Sequence, residues 1–60
     1  MIKEQQKAEE IYQYAVKLHG KEKAKEESIN SAKATYTLIP LKYEKAKKYW
    51  EKVIELLKNK

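Results

Sequence analysis

Sixty residues with no cysteine and a net charge of +5 limit this chain to one small domain, without disulfide staples, thiol chemistry or Cys-ligated zinc. A chain this short buries only roughly 60% of the surface its unfolded form exposes, so helix packing or self-association must supply its stability. No apolar run approaches the roughly 20 residues that cross a bilayer, and Met1-Ile2-Lys3-Glu4 opens nothing like a signal peptide. A soluble, unexported chain is expected, cytoplasmic if it is natural.

The alphabet is narrow. All 14 cations are Lys and all nine anions are Glu, and Phe is missing. Lys, Glu, Gln and Ala are strong helix formers, so exposed positions add propensity to whatever the apolar pattern dictates. Such an alphabet occurs in AT-rich or thermophilic genomes and in computed designs.

Helix 1 is expected from about Ile2 or Lys3 to His19, with Ala8, Ile11, Ala15 and Leu18 on its apolar face and Tyr12, Tyr14 and Val16 on the flanks. Gly20 ends it, since glycine accepts a positive φ, and Lys17 and His19 complement the negative end of the helix dipole. The competing arrangement is one long helix through Gly20, at a cost of about 1 kcal/mol relative to Ala.

Helix 2, residues 21–38, opens on the run Lys21-Glu22-Lys23-Ala24-Lys25-Glu26-Glu27, which suits a helix but offers almost no apolar face. Its seam is Ile29, Ala32, Tyr36 and Ile39, bordered by small residues that allow close helix approach. Pro40 disfavours helical geometry at Ile39 and should end the helix.

Helix 3 is expected to start at Pro40, a favoured first helical residue, and to run to about Lys58. Tyr43, Ala46, Trp50, Val53, Ile54 and Leu57 share an arc of about 100°, flanked by Tyr49 and Leu56. Two short connections favour antiparallel neighbours. The expected architecture is therefore one all-α domain over residues 1–60, an antiparallel up-down-up three-helix bundle. Its core anchors are Ile11, Ala15, Ile29, Tyr36, Tyr43, Ala46, Trp50, Val53, Ile54 and Leu57, with Trp50 at the centre.

The pattern Tyr43-x-x-Ala46-x-x-x-Trp50-x-x-Val53 resembles the second helix of a tetratricopeptide repeat. The resemblance covers one helix of three, and Pro40 stands in the turn where that family's preceding helix would be. It implies a peptide-binding or scaffolding role and assigns no particular residue.

Catalytic constellations are not in evidence. His19 is the only histidine, and without Cys, Asp or a second His it finds no obvious co-ligands, so no metal and no cofactor are expected. Ser28 and Ser31 lack a local base, and a single glycine builds no phosphate loop. The chain therefore reads as non-enzymatic.

Charge is uneven along the sequence. Residues 1–19 are neutral, residues 20–39 carry +1 and residues 40–60 carry +4. Lys45, Lys48 and Lys52 share the outer face of helix 3, with Lys42 to one side. Such a stripe attracts phosphates, which makes weak, sequence-nonspecific nucleic-acid binding the alternative function. Specific readout is disfavoured, because Arg is missing and Glu44, Glu51 and Glu55 lie beside the stripe. The same glutamates argue against a helix lying on a membrane.

Tyrosine is more abundant than the core requires, and Tyr14 and Tyr49 fall on flanks where they form a candidate partner surface. The expected function is accordingly a small protein-interaction module, or an engineered folding scaffold or mini-binder. A monomer is the expected state, with a homodimer as the alternative.

Overall fold

The structure, a computed structural model, describes residues 3–60. Ile2, a candidate first residue of helix 1, lies outside the described residues. Helices α1 (Glu4–His19) and α2 (Lys21–Leu38) are separated by Gly20 alone. Gly20 has φ 84° and ψ 162°, a region essentially closed to other residues, and its N–H donates to the Val16 carbonyl at 2.9 Å. The chain therefore reverses at Gly20 and does not continue as one helix.

Helix α3 (Glu44–Lys58) starts later than the expected Pro40. Ile39, ahead of the proline, is extended, and the Tyr43 N–H donates to the Pro40 carbonyl at 3.0 Å, closing a turn with Leu41 and Lys42 at its corner. Pro40 takes the first position of this turn and contributes its carbonyl as the acceptor, so the helix begins only after the turn is closed. Tyr43, at φ −95° and ψ 67°, precedes α3 and gives it no side-chain cap. The tetratricopeptide-like pattern thus does not lie on one helix.

All three helix pairs are in contact, as an antiparallel up-down-up bundle requires. Side-chain ties confirm the directions. His19, the last residue of α1, lies 3.9 Å from Glu27, in the first half of α2. At the opposite end Lys47 of α3 donates to the Tyr36 carbonyl of α2 at 3.1 Å. That bond has an electrostatic basis: the last turn of α2 contains no basic residue, so α3 supplies the cation that complements its negative end.

Burial follows side-chain size in a way the apolar pattern does not reveal. Everything that α1 and α2 bury is small: Ala8 and Ala15 on one, Ala24, Ser28 and Ala32 on the other. The large buried groups, Val53 and Leu57, come from α3 and form the central cluster with Ala8 and Ala32. Ser28 satisfies its buried hydroxyl by donating to the Lys25 carbonyl at 2.8 Å. Ile11, Tyr12, Ile29, Tyr49, Trp50, Ile54 and Leu56 pack around this cluster, partly buried.

Four expected anchors require correction. Trp50 borders the core and does not centre it, because a seam of alanines and a serine is too narrow for an indole. Its ring lies edge-on to Tyr49, with centroids 5.8 Å apart, and the Lys7 Nζ sits 5.9 Å from it. Tyr43 is 54% exposed, since the turn places it ahead of the helix and off the buried arc. Tyr36 and Ala46 are half-buried outside the central cluster. Ala24, in a run with almost no apparent apolar face, is fully buried.

Candidate interaction surface

Three surfaces carry the candidate residues. The first is a groove of about 330 Å³ between α1 and α2, on a side that no α3 residue lines. Its floor includes the buried Ala15 and Ser28, and its rim carries Tyr14, Leu18, His19, Glu27, Asn30 and Ser31. Tyr14 and Leu18 stand one turn apart on α1 and are 63% and 59% exposed. Large apolar side chains thus border the groove without covering it.

Serine, histidine and glutamate meet at this rim, but a nucleophile–base relay does not form. The Ser28 hydroxyl is committed to the Lys25 carbonyl, and among the described residues no hydrogen bond joins His19 to either serine. Nor do His, Cys, Asp or Glu side chains gather as a metal site among those residues. The rim is suited to contact.

A larger furrow of about 580 Å³ runs between α1 and α3, lined by Gln5, Ala8, Glu9, Tyr12, Leu56, Asn59 and Lys60. Its own residues bridge it. Lys60 pairs with Glu9 and lies 5.0 Å from the Tyr12 ring centroid. The Lys60 hydrogen bond, seconded by one from Gln13 at 3.0 Å, holds the Glu9 carboxyl below its ordinary pKa.

Tyr49, paired with Tyr14 in the sequence reading, is half-buried against Trp50 and belongs to a different surface. It does not line the α1–α2 groove. Partial burial, with Glu4 and Glu10 nearby, raises its hydroxyl pKa. Tyr36 is raised likewise by burial and by Glu51, to which its hydroxyl donates weakly at 3.4 Å.

The second surface is the lysine face of α3. Lys45, Lys48 and Lys52 are all exposed, and Lys52 lies 3.9 Å from Glu55. Lys47, in the same helix, is instead committed to α2, with its Nζ 4.2 Å from the Tyr36 ring centroid.

The third surface was hidden from sequence reasoning. Leu38 and Leu41, on either side of Pro40, are 82% and 83% exposed, with Tyr43 beyond them. The signal available was the run Leu38-Ile39-Pro40-Leu41, four successive apolar residues at the junction of two helices. Among the described residues, no helix is long and apolar enough to cross a membrane. Comparison with protein families, with characterised proteins and with solved structures gave no match, so geometry alone guides the functional reading.

Proposed function

We propose that the chain is a protein-interaction module that seats a helix of a protein partner in the α1–α2 groove. The observation that carries this reading is the exposed pair Tyr14 and Leu18 beside a groove whose floor is already buried. A helix laid there would bury both side chains and find hydrogen-bonding groups in Asn30 and Ser31 at the rim. The helices beneath are held by close packing of small side chains, so the surface is preorganised and little ordering cost falls on binding.

A photo-cross-linking residue placed at position 14 tests this, with position 52, exposed on α3 and away from the groove, as control. Adducts specific to position 14 and lost in Leu18→Lys support the reading, provided circular dichroism is unchanged. With the partner in hand, Tyr14→Ala and Leu18→Ala should each weaken binding at least about tenfold. Identical adducts from both positions, or none, would reject the proposal and favour a chain that only folds.

A further inference from the structure

We infer that the α2–α3 turn docks this protein onto an anionic lipid bilayer, with Leu41 and Leu38 entering the interfacial region while Lys42, Lys45 and Lys48 meet the headgroups. The inference is independent of the α1–α2 groove. Leu41 and Lys42 occupy the corner of the turn closed by the Tyr43 N–H and the Pro40 carbonyl, at one end of a molecule 35 Å long and 19 Å by 17 Å across. An aliphatic group and a cation therefore share the corner.

Shape and charge together favour a lipid surface. Neither the α1–α2 groove nor the α1–α3 furrow is lined by Leu38, Leu41 or Tyr43, so the turn, with both leucines more than four-fifths exposed, stands apart from these recesses as a projection. A bilayer accepts such a projection without a matching shape. Three exposed lysines lie within the turn and the first residues of α3 that follow it, at positions 42, 45 and 48, against the single carboxylate of Glu44 in that stretch. Lysine stems run along apolar surface while their ammonium groups stay in water, as a headgroup layer requires. Tyr43, half exposed, with the Lys42 Nζ 5.3 Å from its ring, has the amphipathic character found at membrane interfaces. The glutamates that spoil the outer face of α3 as a membrane-lying helix do not apply at the turn, because the contact is made by its end.

Co-sedimentation of the whole chain with vesicles tests the inference, using phosphatidylcholine alone and phosphatidylcholine mixed with phosphatidylserine. Binding is expected only to the mixed vesicles and should weaken with salt. Each lysine near an anionic surface contributes about fivefold in affinity, so a triple variant Lys42→Gln, Lys45→Gln, Lys48→Gln should lose about 100-fold. Leu41→Ser and Leu38→Ser should each lose at least about tenfold while circular dichroism stays unchanged. Several outcomes would overturn the inference. They are failure to bind mixed vesicles at low salt, and vesicle binding indifferent to both leucine substitutions. Duplex DNA held as tightly as vesicles would assign the lysines to nucleic acid instead. A concentration-dependent dimer abolished by Leu41→Ser would assign the turn to a second copy.

Discussion

Replacing Leu57 by alanine should destabilise the protein more than replacing its only tryptophan. Leu57 is fully buried among Ala8, Ala32 and Val53, and neighbours of that size cannot move in to refill the space. Leu→Ala at such a site costs about 2–5 kcal/mol, and poor relaxation places Leu57→Ala near the upper end. Trp50 keeps part of its surface in water, so its removal forfeits apolar contact but leaves a notch that solvent fills. At about 25 cal/mol per Å² that loss is about 2–3 kcal/mol, with little added for a cavity. A chain of this length has about 3–9 kcal/mol in total, so Leu57→Ala should sit close to its unfolding midpoint in buffer. Urea titrations followed by circular dichroism compare the two variants without relying on the indole that one of them lacks. A cost under about 1 kcal/mol for Leu57→Ala, or a clearly larger one for Trp50→Ala, would refute this account of the core.

Four further outcomes are expected. Gly20→Ala should cost about 1–3 kcal/mol although no atom beyond its two chain neighbours lies within 4 Å of the added methyl, and a synthetic chain with D-alanine there should recover the stability; equal melting of the two would remove the conformational argument. Ala24→Leu or Ala32→Leu should cost about 1–3 kcal/mol by forcing α1 and α2 apart, whereas Ala34→Leu, on an exposed position, should change little in the same melts. Glu9 has a lowered pKa in the folded chain, so its contribution is present above the unfolded carboxyl value and is lost as pH falls through the folded one; Glu9→Gln should flatten that part of the acid denaturation profile. Tyr36 and Tyr49 are raised, so their contribution holds below the ordinary tyrosine value and is lost as pH climbs through their folded values. A spectrophotometric titration of the Tyr36→Phe, Tyr49→Phe variant should lack the late-ionising fraction.

The number, order and directions of the helices were legible because apolar spacing and Gly20 are local signals. Depth was not. A spacing pattern says which side of a helix faces inward but not how closely the next helix approaches, and here that distance is set by Ala8, Ala15, Ala24, Ser28 and Ala32. Small residues at every fourth position of α2 were the available clue, obscured by the charges around Ala24. The start of α3 misled because proline is favoured as a first helical residue, whereas Pro40 here only supplies the carbonyl that the Tyr43 N–H binds to close a turn. The error carried over to surfaces: with Tyr43 assigned to the core, the exposed turn beside it was not seen. Tyr14 was placed correctly on an open flank, whereas Tyr49 found cover from Trp50, a neighbour in sequence whose edge-on approach no wheel projection displays.

The single residue between α1 and α2 also bears on how fast the molecule assembles. With Gly20 as the entire connection, the two helices meet after closing a minimal loop, and every contact between them near that end is short-range in sequence. Chains dominated by such neighbours cross their barrier in microseconds to milliseconds. The α1–α2 hairpin therefore closes at a lower chain-entropy cost than the connection through residues 39–43, which brings Val53 and Leu57 onto it.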